Sequence, residues 1–204
     1  MPAQMILPAV EQLKSFVQKT CENHRLSFNE LRTFSTPRRL AVQIKGLPEK
    51  QEDRSVELKG PPAAIAKDKD NNWTKAALGF AAKNRIDPAE LQIREYEGKD
   101  YLFVQRMELG QPVPELLQEQ LEHWISHLNF SKNMRWASYR MRFIRPIRWI
   151  VSLWNNTVVP LKMEMAEAGN ETRGHRFLSS RKIIIKDAAD YQEQLEKLYV
   201  MADY

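Results

Sequence analysis

The residues with the clearest chemical potential are five arginines, Arg135, Arg140, Arg142, Arg145 and Arg148, set among Trp136, Tyr139, Phe143 and Trp149 in the stretch NMRWASYRMRFIRPIRWI, residues 133–150. That stretch contains no carboxylate. Guanidinium groups present planar forks of N–H donors that match phosphate and carboxylate oxygens. A second cationic cluster stands in TRGHRFL, residues 172–178, where Arg173, His175 and Arg176 surround Gly174. It reads as a phosphate-binding loop, as an acid/base site, or as a basic turn tied to a neighbouring carboxylate. A third pair, Arg38 and Arg39, follows Pro37, which fixes its own φ and biases Thr36 toward extended geometry. These two arginines therefore start a strand in a defined direction.

Other candidates carry less. His123 and His127 lie four apart on a predicted helix, a spacing that can hold a metal. No third ligand accompanies them and the HExxH pattern is absent, so no metal site is expected. Cys21 falls on the apolar face of a helix, which makes it a structural thiol. There is no GxxxxGK[ST], GxGxxG or GxSxG. His175 has no partner nucleophile or carboxylate pair, so the chain is expected to carry no catalytic residue of its own.

Charge is distributed unevenly. Between His123 and Met163 there is no Asp or Glu, while Lys132, Arg135, Arg140, Arg142, Arg145, Arg148 and Lys162 contribute +7 to an overall +5. The rest of the chain is thus slightly acidic. One basic segment on an acidic body suits a polyanion, because each neutralised phosphate releases condensed counterions. The same residues could instead pair with carboxylates elsewhere in the fold or line a subunit interface.

The elements that must position these groups follow from periodicity. Ile6, Val10, Leu13, Val17 and Cys21 recur at three and four, an amphipathic helix over 6–21. In RLAVQIK, Leu40, Val42 and Ile44 alternate with Ala41, Gln43 and Lys45, a half-buried strand. KGPPAA reads as a rigid connector without regular structure. Asn71 or Asn72 can cap a short helix carrying Trp73, Ala77, Phe80 and Asn84. LQIREYEGKDYLFVQRMEL reads as a hairpin turning near Gly98. Val113, Leu116, Leu117, Leu121, Trp124, Ile125 and Leu128 mark the longest helix, started by Pro112 and Pro114. RWIVSLW and VVPLKMEM read as a strand pair turning at Asn155-Asn156, RKIIIK as a further strand, and Asp187 as the cap of a last helix with Tyr191, Leu195 and Leu198 inside.

Hairpins and helices interleave without βαβ repeats, so the expected fold is α+β, with mixed or antiparallel sheets and packed amphipathic helices. The expected parts are 1–110 and 111–204, either separate or one continuous domain. A chain of 204 residues with 43% hydrophobic content can bury a substantial core. No run of 18 apolar residues and no secretory signal are present, so no membrane is expected. The single cysteine fits a reducing, cytoplasmic setting.

Taken together and in this order, FSTPRRLAV (34–42), KGPP (59–62), TKAALGFAAKNRI (74–86), MRW with FIRPIRWIVSLW (134–154) and TRGHRF (172–177) closely resemble the N-terminal region of the beta subunit of bacterial heterotetrameric glycyl-tRNA synthetase. The resemblance runs over essentially the whole chain, through VMADY. It implies an α2β2 class II enzyme that joins glycine to its tRNA with ATP. The alpha subunit would carry the catalytic core, with ATP and magnesium, and the beta subunit would serve tRNA recognition. The implied partners are tRNA(Gly), the alpha subunit and a second beta subunit. This chain has no cofactor of its own on that view and no class II signature; FIRP lacks the glutamate of Phe-Arg-x-Glu. Family members begin with a short apolar strand and a Gly-Thr-Glu-Glu-like turn before the Met1-Pro2 position, and continue into an HD-like and an anticodon-binding domain. The chain by itself is therefore not expected to aminoacylate. The expected tRNA-binding residues are Arg38, Arg39, Arg135, Arg140, Arg142, Arg145, Arg148, Arg173, His175 and Arg176. Trp136, Tyr139 and Trp149 would chiefly pack, with one free to stack on an unpaired base. The alternative is a subunit-interface module without direct tRNA contact.

Overall fold

Helix α1 (Ile6–Asn23) realises the three-and-four spacing and buries Ala9, Val10, Leu13, Val17, Thr20 and Cys21. The computed structural model describes residues 1–68, 72–179 and 181–202. After α1 comes a hairpin of β1 (Glu30–Thr36) and β2 (Arg39–Lys45), turning at Pro37-Arg38 with Thr36 opposite Arg39. Alternation gives the hairpin two different faces. Leu31, Leu40, Val42 and Ile44 pack on the core built by α1, whereas Phe34 and Ala41 belong to a second, smaller core.

Contacts group the chain into two compact units, Glu52–Gly110 and, discontinuously, Met1–Gln51 with Gln111–Tyr204. The chain passes between them at two points, one of them 110/111. The other, at 51/52, carries no proline or glycine marker. In the 52–110 unit, β3 (Arg54–Pro62) leads to a one-turn helix α2 (Ala63–Ala66), helix α3 (Lys75–Asn84), and the hairpin β4 (Gln92–Tyr96) and β5 (Lys99–Glu108). The sheet order is β3-β5-β4, all antiparallel. Its hairpin turns through Glu97 and Gly98, both at positive φ, as expected from the sequence.

Two local expectations are corrected here. KGPP is not an irregular connector: it is the end of β3, paired with β5 across a register shift between Lys59 and Pro62. An edge strand with a bulge tolerates the missing proline donors. Gly60 is needed there because a Cβ would lie 2.8 Å from the Phe80 ring. The short helix begins at Lys75 with Thr74 at its N-cap, so Trp73 precedes it and bridges Lys67 instead. Asn72 donates its backbone N–H to Asp68, and Asn71 lies outside the described residues.

Back in the first unit, α4 (Val113–Ser126) starts with Pro112 at its N-cap and Pro114 in its first turn. Val113, Leu116, Leu117 and Trp124 meet Ala9, Leu13, Val17 and Cys21 in the principal core, which Leu128, Phe130 and Ile144 complete. Trp124 Nε1 satisfies itself there by donating to Thr20 Oγ1 at 3.0 Å. The rest is a series of short strands: β6 (Met134–Arg135), β7 (Arg142–Phe143), β8 (Ile150–Val151), β9 (Leu153–Trp154), β10 (Thr157–Val158), β11 (Ala168–Gly169), β12 (Glu171–Arg173) and β13 (Lys182–Ile184). The β9–β10 hairpin turns at Asn155-Asn156 as expected. It ends early, however: β8 instead pairs in parallel with β11, and the chain from Lys162 to Glu167 doubles back on itself. Asp187 caps a 3-10 turn (Ala188–Asp190) that runs into α5 (Tyr191–Glu196), where Leu195 joins Phe34, Val200 and Ala202 in the second core. The fold is α+β.

Leu116 is 1% exposed at the α1–α4 contact. Replacing it with alanine is expected to destabilise the unit by about 2–5 kcal/mol, seen as a lower denaturant midpoint at unchanged slope.

Candidate nucleic-acid interface

The arginine-rich segment is held by its apolar residues. Phe143 stacks edge-to-face on Phe130 with centroids 5.1 Å apart, and Ile144 is buried in the principal core. Trp136 Nε1 donates to the Phe143 carbonyl at 2.9 Å, closing the small β6–β7 ladder from one side. Ala137 turns the loop at positive φ. Glu164, the first acid after the acid-free stretch, accepts the backbone N–H groups of Arg140 and Met141 through Oε2 at 2.7 and 3.0 Å.

With the apolar side chains turned in, the guanidinium groups turn out. Arg135, Arg140, Arg142, Arg145 and Arg148 are all exposed. None forms an ion pair with a carboxylate among the described residues. Arg135 even stands directly across from Arg142 in the β6–β7 register. Like charges in that position oppose strand pairing. The fold accepts this repulsion and gains no internal contact from it.

Arg38, Arg39, Arg145, Arg148, Arg173 and Arg176 line one cavity of about 1340 Å³, together with Trp136, Trp149 and Trp154. Two acids, Glu49 and Asp187, share its wall. Asp187 is committed to capping, accepting the Ala189 N–H at 2.8 Å. Within this cavity the arginines differ. Arg38 and Arg176 are exposed, Arg173 is half-buried and Arg39 is only 9% exposed. Arg39 donates through Nη2 to the Arg173 carbonyl and, at 3.4 Å, to that of Gly174. The Arg39 and Arg173 guanidinium carbons stand 5.6 and 5.8 Å from the Trp149 ring centre. Burial holds the Arg39 guanidinium below the usual arginine range, the Tyr191 hydroxyl opposing this and the Arg38 charge adding to it. The Nε of Arg39 and the Nε of Arg173 are buried without a hydrogen-bond partner.

His175 has a local task. Its Nδ1 accepts the N–H groups of Phe177 and Leu178 at 3.3 and 3.2 Å, so this nitrogen shapes the loop and only Nε2 is left for a ligand. Gly174 serves close packing, because a Cβ would sit 2.3 Å from the Ser179 carbonyl oxygen and 3.0 Å from Leu198 Cβ. His123 and His127 stack on each other at 3.9 Å. No group of three His, Cys, Asp or Glu able to hold a metal exists among the described residues. Cys21 is buried and its thiol is pushed up by burial, then by Glu22. Among the described residues no helix is long and apolar enough to cross a membrane.

Of the ten residues singled out in the sequence, six therefore share the cavity, Arg135, Arg140 and Arg142 lie on the exposed segment, and His175 acts within its own loop. The role of Trp149 as the ring shared by two guanidinium groups is not visible from spacing. The β2 alternation does separate Arg39 from Leu40, and with it the buried arginine from the exposed Arg38.

Exposed arginines without an ion-pair partner among the described residues, set beside aromatic rings, are chemistry suited to an anionic partner. The family profile described as glycyl-tRNA synthetase beta subunit matches residues 1–204. A glycine–tRNA ligase beta subunit of Lactiplantibacillus plantarum is 42% identical over 203 residues, covering 100% of this chain and 29% of that protein. One from Picosynechococcus is 44% identical over 204 residues, covering 98% and 28%. One from Halalkalibacterium halodurans is 42% identical over 203 residues, covering 100% and 29%. The chain belongs to the glycyl-tRNA synthetase beta subunit family. It spans less than a third of the length of these curated relatives and corresponds to their N-terminal part.

The tight fit at Gly174 makes a specific prediction. Gly174→Ala forces the loop away from Ser179 and is expected to lower the thermal midpoint by several degrees. Exchange of the Ser179 amide, bonded to the His175 carbonyl at 2.9 Å, should speed up well before global unfolding.

Proposed function

We propose that this chain serves glycine–tRNA ligation as a non-catalytic, tRNA-holding part of the beta subunit. The catalytic chemistry, with ATP and magnesium, is then supplied by the alpha subunit of a class II α2β2 assembly in the cytoplasm. The observation that carries the reading is the open cationic segment: five exposed arginines, no carboxylate partner among the described residues, and a cross-strand Arg135–Arg142 pair. Such a surface is unfavourable alone and favourable against ribose-phosphate, where each neutralised phosphate releases counterions. The phosphate contacts would set orientation, leaving base discrimination to other parts of the assembly.

A second reading is favoured by a different observation. Phe177 and Met201 are 85% and 86% exposed, and Leu178 and Tyr199 are also exposed, so an apolar patch borders the cationic loop. Aromatic and apolar anchors beside arginine suit a protein–protein contact. On this reading the patch meets the alpha subunit or a second beta subunit.

Changing Arg135 and Arg142 together to glutamate separates the two. On the tRNA reading, affinity for tRNA(Gly) falls by at least tenfold, and the slope of log affinity against log salt becomes shallower by about 2. Filter binding at several salt concentrations measures both. Unchanged affinity and slope would reject the tRNA role of this segment. Size-exclusion chromatography with purified alpha subunit, comparing wild type with Phe177→Ser, tests the contact reading.

A further inference from the structure

We infer that the corner of the cavity formed by Arg39, Arg173 and Trp149 is a built phosphate site, distinct in kind from the open arginine surface. The inference deepens the polyanion reading above and rests on it for the source of the ligand. Two guanidinium groups on the cavity wall keep N–H donors that the fold does not satisfy. Arginine stays charged inside proteins, and a buried charged donor without a partner is costly. The Nε atoms of Arg39 and Arg173 are both buried and unpartnered, and Arg39 is more than nine-tenths buried. No carboxylate forms an ion pair with either among the described residues.

The two groups are also fixed in place. Arg39 is held by the Arg173 and Gly174 carbonyls through Nη2, and both guanidinium planes lie near the Trp149 ring. Little side-chain freedom remains to be lost when an anion arrives, which favours affinity. Thr172, also buried with an unpartnered hydroxyl, sits on the opposite face of β12 by alternation and is not part of this corner. Four further arginines on the same cavity, Arg38, Arg145, Arg148 and Arg176, give far more positive charge than one carboxylate could balance. That excess favours a phosphate, free or carried on RNA, over an acidic side chain of a protein partner. It also explains why an arginine preceding Leu40 is buried at all.

The test uses the 204-residue chain with three probes: inorganic phosphate, adenosine monophosphate and a single-stranded RNA tetramer, each titrated by calorimetry. Binding of at least one probe is expected, weakened about tenfold or more by Arg173→Gln and by Arg39→Gln. Lys83→Gln, on the exposed surface of α3, should leave phosphate and monophosphate binding unchanged. If Arg39→Gln fails to fold by circular dichroism, the half-buried Arg173 position decides. Phosphate or monophosphate binding as tightly as the tetramer would assign a free-phosphate or nucleotide ligand; binding of the tetramer alone would assign the RNA backbone. The inference is overturned if no probe binds, or if binding ignores both substitutions. Should no probe bind while Arg173→Gln weakens association with the alpha subunit, the corner takes a protein carboxylate instead. Failure of full-length tRNA to bind wild type, with phosphate still bound through Arg173, would remove the tRNA proposal and leave this site standing.

Discussion

The cationic face hangs from a single register, Thr36 opposite Arg39 in the first hairpin. Because side chains alternate, burying Leu40, Val42 and Ile44 in the α1–α4 core forces Arg39, Ala41 and Gln43 to the other side. There Gln43 reaches the Ala188 carbonyl at 2.7 Å and Arg39 reaches the TRGHRF loop. A slip of one residue would drive a guanidinium into the apolar core and leucine against the TRGHRF loop. The hydrophobic pattern of one strand thus holds a buried charge where no local preference would put it.

The 52–110 unit and the 133–150 segment treat cations in opposite ways. Within 52–110, Arg54 and Arg106 both meet Glu108, at 2.8 and 2.7 Å, and Arg94 meets Glu57 at 2.6 Å. Lys59 lies against the rings of Tyr96 and Tyr101, 3.9 and 3.7 Å from their centres. Such exposed pairs add little stability, but they cancel the local field that would attract a polyanion. The 133–150 segment lacks this cancellation. Charge cancellation therefore differs from one segment to another, and the overall +5 conceals it.

Much of this was readable in the sequence where the signal is local. The two amphipathic helices, the Gly98 and Asn155 turns and the Asp187 cap all follow from periodicity or turn chemistry within a few residues, whereas the outward direction of the arginines does not. What was not readable depends on distance along the chain. The KGPP strand exists because β5, some forty residues later, pairs with it. The meeting of Arg39 with Arg173 spans 134 positions, and no spacing rule reaches that far. His175 was legible as a polar loop residue, but its engagement with two nearby N–H groups required the actual backbone path.

The exit and re-entry of the 52–110 excursion lie side by side on the first unit. Gln51 donates its N–H to the Gln111 carbonyl at 3.0 Å, and Val113 donates to that of Glu49 at 2.9 Å. Such a zipped stem closes the excursion as a loop, whose closure entropy depends only weakly on how long it is. A change in the length of residues 52–110 therefore costs the scaffold that carries the arginines little closure entropy.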